Sequence, residues 1–355
     1  MEGKSIVSES TALAATTPVE IREVAGTVLP EHVPSFLPEG IYIGLDEDTY
    51  HNDPALGSTD MKRLAQSPPD FWFNSKFNPD WESDDEDTPS RKFGRAAHKR
   101  VLEGRDVFLA RYGSVSEPGN TKAGKDQRAA IEARGKEWLK SDDFRRIELM
   151  GAMVRGNPAL TNAFTGGVAG EVSIFWQAKN GMRKKCRIDY LKPRASVDLK
   201  TIANQFNEPF PQACRKAIGN YRYDVQAAHY AEGRAQMARL LGAVNVCDGS
   251  SPDLALLKRC AMEETFWWVF VFVQSVGAPL TWGATLAATV SRKGADGTEF
   301  EELNPILDIG RRTIEVAEFN WAANCKKFDG LRLPWVLDEP LAELAIEDFP
   351  AWAFR

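Results

Sequence analysis

Gly170 to Thr201, GEVSIFWQAKNGMRKKCRIDYLKPRASVDLKT, is the stretch whose reading decides the fold. It divides into three short strands, Glu171–Gln177, Arg183–Tyr190 and Ser196–Thr201. Asn180-Gly181 between the first two is a two-residue hairpin signal, because both turn positions need positive φ. Lys192-Pro193-Arg194 links the second strand to the third. Side chains alternate faces along a strand. The third strand therefore puts Asp198 and Lys200 on one face and Val197 and Leu199 on the other. On the second, Asp189 shares a face with Arg187, Lys185 and Arg183, away from Ile188 and Cys186. On the first, Glu171 lies on the face opposite Val172, Ile174 and Trp176.

Three acids and a lysine thus gather on apolar-backed strands. Carboxylates held close to a core repel one another and lose hydration. A divalent cation relieves both penalties, and Mg²⁺ is commonly held by one or two carboxylates with water and substrate phosphate completing its shell. A neighbouring lysine supplies positive charge to a developing phosphorane or an attacking hydroxide. Asp-x-Lys alone is a common surface ion pair. Here an acid lies nine residues upstream on the preceding strand, and a further acid on the strand before that.

This arrangement resembles the PD-(D/E)xK nuclease superfamily, and within it the RecB-like branch that contains the RecE-type exodeoxyribonuclease VIII of phages and prophages. Ile188-Asp189 stands where the superfamily has Pro-Asp, a departure at a residue that is not a ligand. Two further motifs match. Arg91–Leu102 reads as a helix with Phe93, Ala97 and Val101 on one stripe, and its Gly94 and His98 fit a G-x-x-x-H pattern whose histidine is a metal ligand. Arg222–Leu241 reads as a long helix with Val225, Ala228, Ala231, Ala235 and Ala238 as its apolar side. Its Gln226 and Tyr230, at i and i+4, fit the Q-x-x-x-Y motif that flanks the site. Upstream, Tyr50-His51, Ser58, Met61, Leu64 and Ser67-Pro68 resemble the opening of the same family's domain.

The resemblance implies a mixed α/β fold with a restriction-endonuclease-like core, a central mixed sheet flanked by helices. It implies metal-dependent hydrolysis of DNA. Asp189, Asp198 and His98 would hold Mg²⁺, or Mn²⁺ in its place, and Lys200 would position or deprotonate water. Glu171 would be a further ligand, or merely the partner of Arg183 or Arg187. Gln226, Tyr230 and Arg187 would flank the site and the DNA. RecE-type enzymes degrade duplex DNA from a 5′ end, leave a 3′ single strand for an annealing protein, and work as ring-like oligomers. The alternatives are a nuclease of the same fold acting on single-stranded or other DNA in repair or defence, and a catalytically weak DNA-binding scaffold.

Composition sets outer bounds. The chain has 355 residues, 43% hydrophobic and 26% charged, enough for a sizeable core. It has no apolar run of membrane-spanning length and no secretion signal at its start, which suggests the cytoplasm; the resemblance implies a bacterial host cell and a phage or prophage gene. Five cysteines without C-x-x-C spacing read as free thiols. Net charge is −6, unlike a protein that coats DNA electrostatically. Basic residues instead cluster at Arg91-Lys92, Arg95, Lys99-Arg100 and Arg183–Arg187, while Asp80–Asp87 is an acidic run that reads as a solvated loop.

Residues 1–38 read as a partly disordered arm and residues 39–355 as the nuclease domain. Ser58-Thr59-Asp60 reads as a helix N-cap. Residues 122–156 read as two helices, the first carrying Ile131, Trp138 and Leu139 and the second Phe144, Ile147 and Met150. Thr265–Gln274 reads as a buried strand, Asn304-Pro305 as the start of a helix running to about Lys327, and the tail from Leu331 as packing across the domain.

Overall fold

A computed structural model of the chain describes residues 21–24, 27–82, 88–168, 170–294, 296–337, 339–341, 343–350 and 352. Residues 1–20 of the expected arm and 83–87 of the acidic run lie outside these. Within the arm, Ile21–Val24 and Thr27–Pro30 form an antiparallel hairpin, and Val33 is buried in the core.

Two four-stranded sheets carry the site. In the first, the order is Val244–Val246, Gly40–Ile43, Val172–Gln177, Arg183–Ile188. In the second it is Thr281–Leu286, Trp267–Gln274, Ala195–Ile202, Tyr190–Lys192. Trp267–Gln274 runs parallel to Ala195–Ile202, and Val244–Val246 parallel to Gly40–Ile43; the other pairs are antiparallel. This is the mixed α/β architecture expected.

The expected single strand Arg183–Tyr190 is interrupted at Asp189. Arg183–Ile188 pairs with Val172–Gln177, whereas Tyr190–Lys192 turns through Pro193-Arg194 to pair with Ala195–Val197. The chain changes partners at one residue, so Asp189 sits at the junction of the two sheets.

The faces of the Ala195–Ile202 strand divide as alternation requires. Val197 and Leu199 pack with Val271 and Val273 against Ala96, Ala97, Ile147, Met150 and Val154, from helices Pro89–His98 and Ser141–Gly156. The opposite face looks toward the helix Tyr223–Ala235. Pro305–Lys327, capped by the Asn304 side chain, lies against that helix and against Ser58–Gln66, and buries Trp321 with Phe71, Phe77 and Trp335. The tail packs as far as Trp335; Leu337, Leu341 and Leu344 are exposed.

Several boundaries differ from expectation. The helix Ser58–Gln66 is capped at Gly57, whose N–H is received by the Asp60 carboxylate at 2.8 Å. Trp138 and Leu139 belong to a strand, Glu137–Lys140, parallel to Tyr112–Val115; long-range pairing outweighs the local apolar spacing. The histidine helix ends at His98 and continues as a π-helical turn, Lys99–Glu103. The later helix begins at Tyr223 after a left-handed Arg222 and breaks at Gln236.

Of the apolar side expected for that helix, Val225 is buried and Ala228 packs against the core, but the helix buries a second, polar side as well. Gln226, Ala227, His229, Gly233 and Arg234 are inside, and Ala235 and Ala238 are exposed. Its polar groups have buried partners: His229 Nε2 meets the Lys185 carbonyl at 2.9 Å, and Arg234 donates to Ser196 Oγ at 3.0 Å. Gly233 allows the close approach, since a Cβ there would stand 2.7 Å from Cys186 Sγ and 2.8 Å from Trp176.

Candidate metal and DNA-cleavage centre

Four elements converge where the sheets meet. The junction supplies Asp189, the long strand Asp198 and Lys200, the residue before Val172–Gln177 supplies Glu171, and the helix end supplies His98. Ligand atoms of His98, Glu171 and Asp189 lie within 4.8 Å of one another. Asp189 Oδ2 accepts the Leu199 N–H at 2.7 Å and lies 3.7 Å from His98 Nδ1. No added Cβ at Gly94 would meet an atom within 4 Å; the open space lines a cleft of about 490 Å³ shared with Arg95, His98 and Glu171.

Asp198 is 2% exposed. Lys200 Nζ stands 2.9 Å from its Oδ1 and 2.8 Å from its Oδ2, and Gln226 Nε2 donates to Oδ1 at 2.9 Å. Oδ2 receives no well-directed hydrogen bond. Tyr230 meets Trp268 edge-on, and of the two motif residues Gln226 is the one that reaches the acid.

Arg187 is engaged by protein atoms. It donates to Ser173 Oγ at 3.0 Å, to the Leu45 carbonyl at 2.7 Å, and approaches Glu171 at 3.5 Å, with its guanidinium over the Tyr50 ring. Of the other basic residues expected beside the site, Arg100 and Arg183–Lys185 turn inward, whereas Arg91 is exposed and Lys92, Arg95 and Lys99 are half-buried. Lys184, wholly buried, pairs with Glu232 and Glu318. Lys185 donates to the carbonyls of Tyr50 and Asp53, and Arg183 to that of Leu37. Arg100 pairs with Glu148, and Lys92 lies over Trp138. Both faces of the Arg183–Ile188 strand are covered, so these cations are satisfied inside and do not form a basic surface.

The electrostatics are those of acids crowded in a dry place. Burial pushes the Asp198 carboxyl up to about 6, against the pull of Lys200 and with a push from Asp189. Burial likewise raises Asp189 and Glu171, and lowers His98. Lys200 is raised: burial works against its charge, but Asp198 and Asp189 outweigh it. An imidazole whose charged form burial disfavours and carboxyls whose charge burial penalises, with one buried oxygen lacking a directed donor, form a donor set suited to a divalent cation.

Several participants were not singled out in the sequence. Tyr223 places its ring 4.8 Å from Lys200 Nζ. Lys62, on the helix Ser58–Gln66, donates to the Tyr221 carbonyl at 2.8 Å, and burial followed by the charge of Lys200 lowers it to about 8. Its helical position gives no local sign of this, since the partner lies 159 residues away.

The family model described as "PDDEXK-like domain of unknown function (DUF3799)" matches residues 57–240. The chain belongs to this family. All of His98, Glu171, Asp189, Asp198, Lys200, Gln226 and Tyr230 fall within the PDDEXK-like segment. A solved structure from Eubacterium rectale, described only provisionally as an exonuclease, aligns over 84% of this chain and 97% of its own, with 14% identity and a TM-score of 0.43. No curated protein matches the chain. Among the described residues, no helix is long and apolar enough to cross a membrane.

Proposed function

We propose that this protein is a divalent-metal-dependent deoxyribonuclease of the RecE type, hydrolysing linear duplex DNA from its 5′ ends and leaving 3′ single strands. The observation that supports it most is the grouping of His98, Glu171 and Asp189 ligand atoms within 4.8 Å of one another, with the Asp198–Lys200 pair on the adjoining strand. His98, Glu171 and Asp189 would hold the cation, and Asp198 would join them through Oδ2. Mg²⁺ is the first expectation, and Mn²⁺ suits the imidazole better. Bound there, the cation would polarise the scissile phosphate and acidify a water.

The chain's own groups divide the remaining work. Water adds to phosphorus, the P–O bond to the leaving sugar breaks, and that oxygen takes up a proton. Lys200 is held protonated by its carboxylate neighbours, so it supplies charge to the phosphate oxygens and positions the water; it does not remove a proton. Gln226 fixes the Asp198 carboxylate, Tyr230 lies one turn along the same helix beside them, and Arg187 anchors Glu171. We take residues 39–355 as one domain, because the strand Trp267–Gln274 and the helix Pro305–Lys327, beyond the family segment, complete its sheet and its core. The 5′→3′ direction, a ring-like homo-oligomer and an annealing partner rest on the RecE resemblance.

The test uses linear duplex DNA labelled at the 5′ or the 3′ end, with Mg²⁺, beside a closed circle and the Asp198→Ala variant. Early release of the 5′ label as mononucleotide, with the circle intact and the variant silent, is the expected result. Absence of cleavage in Mg²⁺ and in Mn²⁺ would overturn the nuclease reading.

A further inference from the structure

A second cleft, about 730 Å³, is lined by Thr201 and Ile202, which follow Lys200 in its strand, and by Tyr223, whose ring faces Lys200; its size is that of ligand sites. Its walls carry Phe93, Phe206, Tyr221 and Tyr223, with amide side chains at Asn204 and Asn220. Phe206 is 84% exposed and Tyr221 61%. Large aromatic rings left in water beside a reaction centre mark a contact surface better than a packing accident. The Tyr221 and Tyr223 rings stack, 5.7 Å apart and inclined by 29°.

The backbone holds the two exposed rings out. Each precedes a residue with positive φ, Asn207 at 51° and Arg222 at 52°. Such a conformation is mild for Asn but strained for Arg. Arg222 is kept there by Asp224 and by Thr313 Oγ1 at 2.7 Å, and Lys62 holds the Tyr221 carbonyl. Tyr223 joins the platform to the site, its ring facing Lys200.

The charge of the cleft chooses the occupant. Its lysine, Lys216, is paired with Glu208. Duplex binding rests on rows of cations against phosphate, which these walls lack. Unpaired bases need π-faces and tolerate any sequence, and the Asn220 amide can meet a base edge, while the Asn204 amide is held by the Glu208 backbone.

We propose that this cleft is a nucleobase-stacking platform that takes unpaired nucleotides of the strand whose phosphate lies at Lys200. The proposal rests on the DNA-cleavage reading of the neighbouring centre, and it adds the conformation of the substrate: the strand leaves the duplex and enters the site as single strand.

The experiment measures binding by fluorescence anisotropy in EDTA. The probes are a short labelled oligothymidylate, an abasic strand of the same length, and a blunt duplex. Wild type is expected to prefer oligothymidylate to the abasic strand. The Phe206→Ala/Tyr221→Ala double variant should lose roughly ten- to hundredfold in oligothymidylate affinity. Its binding of the abasic strand should be unchanged, and Tyr221→Phe should keep wild-type affinity. Equal affinity of wild type for the two strands, or unchanged oligothymidylate affinity in the double variant, overturns the platform. Cleavage assays on the same proteins separate the two readings. A wild type that binds bases through these rings but cuts no DNA sinks the nuclease reading alone. A double variant that cuts and binds like wild type sinks the platform alone.

Discussion

Replacing Asp198 by asparagine should make the metal-free protein more stable while abolishing its chemistry. The Asp198 carboxyl sits at about 6 against an ordinary 3.8. Between these values the folded chain keeps a proton that the unfolded chain has released, so stability falls as pH rises through that window. Above pH 6 the penalty is fully present, at about 3 kcal/mol. That figure is already net of the attraction to Lys200, because the same attraction helps set where the carboxyl titrates. Asparagine is isosteric, can still accept from Gln226 Nε2, and stands in for the protonated acid. In EDTA at pH 8, Asp198→Asn should therefore gain up to about 3 kcal/mol, or about 4 °C in Tm for a chain of this size. At pH 4 the gain should vanish. Saturating Mg²⁺ should stabilise the wild type, by about 2.7 kcal/mol at a hundredfold excess over Kd, and the variant by less. Thermal melts across this pH series, with and without metal, read all of these quantities. A variant less stable than wild type in EDTA at pH 8, or a gain that persists undiminished at pH 4, would refute the picture of a buried acid awaiting a cation.

Four further outcomes follow from the same geometry. Lys200→Gln should lower kcat by about 10²–10³ while calorimetry shows Mn²⁺ still bound; retained turnover would remove Lys200 from the role given to it. Gln226→Ala leaves Asp198 Oδ1 without its amide donor, and metal affinity measured by titration should weaken about ten- to hundredfold. In wild type, Mn²⁺ affinity should drop about tenfold per pH unit below about 6, where Asp198 takes up its proton; a flat profile between pH 5 and 7 would contradict its place among the ligands. Glu232→Ala/Glu318→Ala strands the buried Lys184 ammonium, and denaturant unfolding should report a loss of about 3–5 kcal/mol.

Local patterns made much of this protein legible. The three strands, the Asn180-Gly181 turn, the buried strand ending at Gln274 and the Asn304-capped helix follow from turn chemistry, alternation and capping, which act over a few residues. So does the spacing that puts Asp198 and Lys200 on one face, and the i, i+4 relation that sets Gln226 and Tyr230 on one side of a helix. These features depend on backbone period alone, and the family resemblance rests on them.

The rest needed contacts between distant parts of the chain. Alternation said which residues share a face, but not what covers that face. Arg183, Lys184 and Lys185 looked like a basic surface beside the site. Carbonyls from residues 37–53 and carboxylates from residues 232 and 318 make them buried structural cations instead. Glu171, the least secure acid from spacing, lies within ligand reach of His98 and Asp189 only because the sheets change partners at Asp189. Trp138 and Leu139 followed a helical spacing and became a strand because Tyr112–Val115 offered a pairing edge. The sequence by itself determined the chemistry-bearing residues and their strand and helix positions, since these are set by dihedral preference and periodicity. The tertiary structure decided which charges are buried and where acids meet, since burial and Coulomb energy depend on neighbours that sequence distance does not reveal.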